Sequence, residues 1–168
     1  IKDGWSIDTS MGMSPQSGLL NSNRVGDLDS YALLYLMEKE NLSIDDARDI
    51  LMSKSGILGL SGGLSDFRDL EISMADDNEM ARRAFKTFAY YVKRYIGEYL
   101  VALNGADCIA FTAGAGQKSS LLRKEIVGDL DNLGIILDES KNSENNEEGL
   151  ISTDESTVKI AVIPTNEE

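Results

Sequence analysis

The chain is 168 residues long, enough for one domain or a large piece of one, with 42% apolar residues and no run near the roughly 18 apolar residues of a membrane span. Its 29 acidic against 16 basic side chains give a formal net charge of -13, a field that repels a polyanionic backbone, so nucleic acid is not an expected partner, and for want of a spanning run neither is a membrane. Histidine is absent, which removes Ser-His and Cys-His nucleophile pairs, imidazole bases and His-ligated zinc, and leaves any chemistry to carboxylates, arginines, lysines, hydroxyls and backbone dipoles.

At the start, Asp3-Gly4 is a hairpin-turn signal followed by a strand-like "WSID", with only Ile1 and Lys2 ahead of it. The partner strand is therefore expected upstream, in a larger fold. Residues 1–20 lack a basic start followed by an apolar segment, and a cytoplasmic location is expected. Residues 11–26 read as a loop with a short apolar piece. A helix follows, with Asp29 or Ser30 as N-cap and Tyr31, Leu34, Tyr35 and Met37 at mixed helical spacing. Ser43 and Asp46 then resemble a capping box for a second helix that Gly56 would close. "LGLSGGLSDFRDLE" is a glycine-broken turn into a short helix capped by Ser65 or Asp66.

The longest element is expected from about Asp77 to Leu103. Its Ala81, Phe85, Phe88, Val92, Tyr95, Ile96, Tyr99 and Leu103 recur at three or four residues, the pattern of a helix with one packed face. Next come a strand "CIAFT", a glycine turn, a helix from about Ser119 to Leu130 and a short strand "GIILD". Cys108, in an apolar run, reads as a buried structural thiol. Residues 139–150 are polar enough for an exposed, mobile loop, and Val158–Ile163 reads as a buried final strand. Strand-helix-strand alternation implies an α/β fold with at least partly parallel pairing.

Four places are suited to chemistry. "FTAGAGQKSS" joins a strand to a helix through Gly114 and Gly116, where backbone amides can face an anion; it lacks the third glycine of a dinucleotide fingerprint and the GK[ST] of a P-loop, and an ordinary turn fits equally. Arg68 lies two residues after Asp66, either a phosphate or base contact or the partner of a helix cap. Arg24 sits in a loop beside Asp27 and Asp29, either a charge-stabilising arginine or half of a solvated ion pair. Glu167 and Glu168 follow the final strand, at the carboxyl end where open α/β sheets place ligands.

Taken in order, "DGWSIDTSMGMSPQSGLL", "NRVGDLD", "GLSGGLSDFRD", "YIGEYLVALNGADCIAFTAGAGQKS" and "VIPTNEE" resemble the carboxyl-terminal half of the acetate/propionate kinase family across essentially the whole chain. The resemblance implies an α/β, ribonuclease-H-like domain of the actin, Hsp70 and sugar-kinase type, incomplete here. Residues 1–168 would be the carboxyl-terminal nucleotide-binding domain without the amino-terminal half. It implies reversible transfer of the γ-phosphoryl of ATP to acetate, or another short-chain carboxylate such as propionate, giving acetyl phosphate and ADP with Mg2+, in a homodimer.

By motif, the resemblance matches Arg24 to the arginine that stabilises the transferring phosphoryl and Pro15 to a wall of the acyl pocket. Asp66, Phe67 and Arg68 match the segment beside the adenosine. Gly114, Ala115, Gly116, Gln117 and Lys118 match the nucleotide loop, and Glu167 matches the magnesium-associated glutamate. Such parts suit phosphoryl transfer, which asks mainly for positioning and charge stabilisation. The family's loop reads F-T-G-G-I-G-E-N, so Ala113 and Ala115 replace Gly and Ile, and Gln117 and Lys118 replace Glu and Asn. Ser22-Asn23 replaces the family's Gly-Thr before the arginine. The family's other active-site groups lie upstream of Ile1, so this polypeptide alone is expected to lack kinase turnover. The altered loop also leaves open a nonenzymatic nucleotide-binding or dimerisation module.

Overall fold

The structure is a computed structural model that describes residues 1–144 and 147–165. Glu167 and Glu168 lie outside the described residues. The chain divides into two compact units, Ile1–Tyr91 and Val92–Glu168, each described by itself.

In the first unit, Asp3 and Gly4 take left-handed conformations and close a single rung in which Lys2 and Trp5 exchange both backbone hydrogen bonds. The turn is as expected. "WSID", however, forms no strand, because among the described residues it has no neighbouring strand to pair with. Helices α1 (Ser30–Glu40), α2 (Ile44–Ser53), α3 (Gly56–Ser61) and α4 (Phe67–Ala75) follow, then the first part of α5 (Glu79–Leu103).

Local capping sets these boundaries. Asp29 accepts from the Tyr31 amide, Ser43 and Asp46 form the reciprocal box, and Asp66 accepts from the Arg68 amide. Gly56 does not close α2, whose cap is Lys54; it opens α3 instead, at φ +62°. Leu20, Ile57, Leu70, Ala81 and Ala84 form the core, with Phe67, Phe88 and Tyr91 packed against it. The Phe67 ring meets Phe88 edge-on at 4.7 Å and Phe85 at 6.3 Å.

The second unit holds the rest of α5, then β1 (Cys108–Phe111), α6 (Ala113–Lys118), α7 (Ser120–Val127), a 3-10 turn at Asp131–Leu133, α8 (Glu139–Glu144), β2 (Gly149–Leu150) and β3 (Lys159–Val162). The sheet order is β1-β3-β2, with β1 parallel and β2 antiparallel to the central β3. The expected α/β alternation with partly parallel pairing is present. Ile126, Val127, Ile135, Ile151, Ile160 and Val162 are buried here, and β3 is the apolar centre because it has neighbours on both edges.

Three expectations are corrected. Among the described residues, 134–138 make one bridge, Leu137 to Ser152, rather than a strand, since the following residues turn into α8. Residues 139–144 are a helix rather than a mobile loop, anchored by the buried Asn142. Cys108 is exposed rather than buried, because it begins β1, a strand with a neighbour on one side only among the described residues. Desolvation, and then the Asp107 carboxylate, still push its thiol pKa up.

Candidate nucleotide and phosphoryl site

The sequence-predicted residues fall in both units: Pro15, Arg24, Asp66, Phe67 and Arg68 in the first, residues 114–118 in the second.

Arg24 is held by a stitched loop. The Asp27 carboxylate accepts from the Gly18 amide at 3.0 Å, and the Asp27 amide donates to the Gly18 carbonyl at 2.8 Å. The start of α3 completes the support. Ser55, Ile57 and Leu58 donate their amides to the carbonyls of Asn23, Asn21 and Ser22 at 3.1, 3.0 and 2.8 Å. Amides that a helix start leaves unpaired are thus satisfied by the loop that carries the arginine. Gly56 is required at this junction, since a Cβ there would lie 2.2 Å from the Asn21 carbonyl oxygen and 2.6 Å from that of Arg24. The two nearby carboxylates are engaged elsewhere, Asp27 in the loop and Asp29 in the α1 cap. Among the described residues the Arg24 guanidinium has no hydrogen-bond or ion-pair partner. The solvated ion pair that spacing allowed is not formed.

Pro15 is exposed. A largely apolar cavity of about 450 Å³ opens between residues 16–28, α1 and α2, lined by Val25, Leu28, Leu33, Met37, Ile44 and Leu51 among others. Neither Pro15 nor Arg24 lines it.

Asp66 and Arg68 are coupled. Arg68 donates Nε and Nη2 to the Asp66 carboxylate at 3.1 and 2.8 Å, and its amide donates to Oδ1 at 2.8 Å. Led by the Arg68 side chain and then its amide, these bonds hold the Asp66 carboxyl at about 2. The Arg68 Nη1 faces no protein partner among the described residues. Phe67, between them, turns inward to the core.

In the second unit, residues 113–118 form one short helix rather than an open turn. The left-handed step falls on Ala113, at φ +58°, and neither Gly114 nor Gly116 has a positive φ. A Cβ at Gly114 would meet no protein atom within 4 Å, and one at Gly116 would make only ordinary contacts near 3.7 Å with Phe111. The chain's own packing therefore does not demand either glycine.

The far end of this helix rests on residues the sequence reading missed. Arg123 is wholly buried; its Nη1 donates to the Gly116 and Gln117 carbonyls, its Nε to Asn142 Oδ1 at 2.8 Å and its Nη2 to the Asn142 carbonyl at 2.9 Å. Asn142 Nδ2 in turn donates to the Ser120 carbonyl at 2.9 Å. Burial lowers the Arg123 pKa, and the carbonyl acceptors compensate for lost hydration. A signal was present: Leu122, Arg123, Ile126 and Val127 share the packed face of α7, where a charge is out of place.

Comparison with known proteins adds the last observation. The Acetokinase family profile matches residues 1–168. The chain is 48% identical to the acetate kinases of Lachnoclostridium phytofermentans and Methanosarcina barkeri, covering 100% of itself but 42% and 41% of those proteins. It thus spans less than half the length of these relatives. In structure it is similar to Porphyromonas gingivalis acetate kinase (TM-score 0.91, 37% identity, 94% of this chain and 40% of that one). It is similar also to a Francisella tularensis propionate kinase (TM-score 0.92, 36% identity, 99% and 42%). The fold is that of an incomplete actin/Hsp70-like α/β domain, and the chain belongs to the Acetokinase family.

Proposed function

We propose that this chain is the carboxyl-terminal nucleotide-binding domain of a carboxylate kinase that moves the γ-phosphoryl of ATP to acetate, reversibly, forming acetyl phosphate and ADP. The observation that carries this reading is the family match along the whole chain. The geometry supports it in two places. Arg24 is presented on a fixed loop with its guanidinium unpartnered among the described residues, the state suited to stabilising charge on a transferring phosphoryl group. The space beside Gly114 is left open and a Cβ at Gly116 would make only ordinary contacts with Phe111, so a small residue at 114 serves the close approach of a ligand rather than the protein's own packing.

In this reading Arg24 steadies the phosphoryl oxygens, Pro15 borders the acyl group, the segment of Asp66, Phe67 and Arg68 flanks the adenosine with the Phe67 ring packed inward beneath it, and residues 114–118 hold the nucleotide. Acetate is already ionised, so the chain needs no general base to activate it. Magnesium would be held mainly by the substrate phosphates together with Glu167. When bound, the ion supplies charge neutralisation between the phosphates. The intact protein works in the cytoplasm as a homodimer, and this stretch alone does not turn over.

The test is acetyl phosphate formation from ATP and acetate by the intact polypeptide carrying this chain, against the same protein with Arg24→Ala. Turnover that falls by orders of magnitude in the variant is expected; equal turnover would remove Arg24 from the mechanism. Propionate in parallel assays decides the acyl preference, which the likeness to a propionate kinase keeps open. Nucleotide binding without turnover by the intact protein would mark a nonenzymatic module instead.

A further inference from the structure

The nucleotide helix α6 is six residues long, too short to hold itself together in water, so something must fix it. At its start Phe111 is buried and its carbonyl accepts from the Ile163 amide at 2.9 Å, which anchors β1 directly before Thr112. At its end the last-turn carbonyls of Gly116 and Gln117, which a helix leaves without internal donors, are both taken by Arg123. Arg123 is itself gripped twice by Asn142, through the side-chain oxygen and the main-chain carbonyl.

Resting on the nucleotide reading above, we propose that Arg123 and Asn142 are positioning residues for nucleotide binding: a buried clamp that ties α6 to α8 and thereby fixes where residues 114–118 meet the nucleotide. The acidic, polar stretch beginning at Glu139 then acts at the nucleotide site through one buried asparagine, not as a solvated surface segment. Arginine is specific here because its planar fork reaches α6 carbonyls from one nitrogen and Asn142 from the other two. A lysine keeps the charge and cannot span both.

The experiment uses the intact polypeptide and separates KM for ATP from KM for acetate, well below the unfolding temperature. Asn142→Ala removes the acceptor for Arg123 Nε and the donor to Ser120, and KM for ATP is expected to rise about tenfold, the effect of one or two lost hydrogen bonds. Arg123→Lys shifts it in the same direction. KM for acetate stays unchanged in both, and amide exchange quickens selectively over residues 113–119. Asn142→Asp keeps an acceptor for Arg123 and retains most of the ATP affinity. A lowered unfolding temperature with unchanged KM for ATP in Asn142→Ala would show a merely structural contact and overturn the inference. Absence of acetyl phosphate formation by the unsubstituted protein refutes the functional reading and this inference together.

Discussion

Gly56→Ala tests whether the start of α3 is what presents Arg24. The new Cβ would sit 2.2 Å from the Asn21 carbonyl oxygen and 2.6 Å from that of Arg24, both backbone atoms that cannot swing aside. The two carbonyls accept from the Ile57 and Asn21 amides at 3.0 and 3.2 Å, so relieving the overlap breaks or distorts two hydrogen bonds worth about 1 kcal/mol each. Holding a non-glycine residue at φ +62° costs about 1 kcal/mol more, while the stiffer unfolded chain returns roughly 0.4–1 kcal/mol. A net loss of about 2 kcal/mol should lower the unfolding temperature by roughly 4–8 °C for a chain of this size. Thermal unfolding followed by far-ultraviolet circular dichroism measures it, and turnover of the intact protein should fall further than its stability because the displaced segment carries Arg24. An unchanged unfolding temperature with unchanged turnover would refute the account of Gly56 as the wedge under that loop.

Other substitutions probe separate features. Gly97 lies inside α5, and a Cβ added there would meet no atom within 4 Å, so Gly97→Ala should raise stability by up to about 1 kcal/mol, read from denaturant midpoints at constant slope. Ala113→Gly frees a left-handed residue from its strain of roughly 1–2 kcal/mol, partly offset by a looser unfolded chain, and a modest rise in unfolding temperature is expected; a fall would show that the strain is not there. Asp66 has a folded-state pKa near 2, lower than that of the unfolded chain, so its contribution is complete above about pH 4 and fades as pH drops toward 2. The stability difference between the parent and Asp66→Asn, which can cap but not titrate, should therefore shrink across that window; a difference independent of pH would refute the coupling to Arg68.

What sequence made legible is what neighbouring residues decide. Asp29, the Ser43–Asp46 box and Asp66 cap their helices because side chain and amide lie two or three residues apart. The apolar run at Val158–Ile163 became the central β3 because its composition suits burial on both faces. The place of Gly56 was not legible, because its role depends on carbonyls more than thirty residues upstream. The helix at 139–144 was hidden because its polarity suggested solvent, whereas a single asparagine tethers it to a buried arginine nineteen positions away. Arg24 could be flagged by pattern, but that both nearby carboxylates are committed elsewhere is visible only in three dimensions.

The sheet order β1-β3-β2 has a bearing on how the chain behaves when handled alone. Among the described residues β1 pairs on one side only, leaving the main chain of Cys108–Phe111 with an outward row of donors and acceptors. Such a margin is a template for another strand. With 29 acidic side chains against 16 basic ones, copies repel one another at low ionic strength. Added salt shortens the reach of that repulsion to about 8 Å at 0.15 M without touching the hydrogen-bonding groups. Self-association of this chain should accordingly grow with salt as well as with concentration, and proceed through a strip of backbone rather than an oily face.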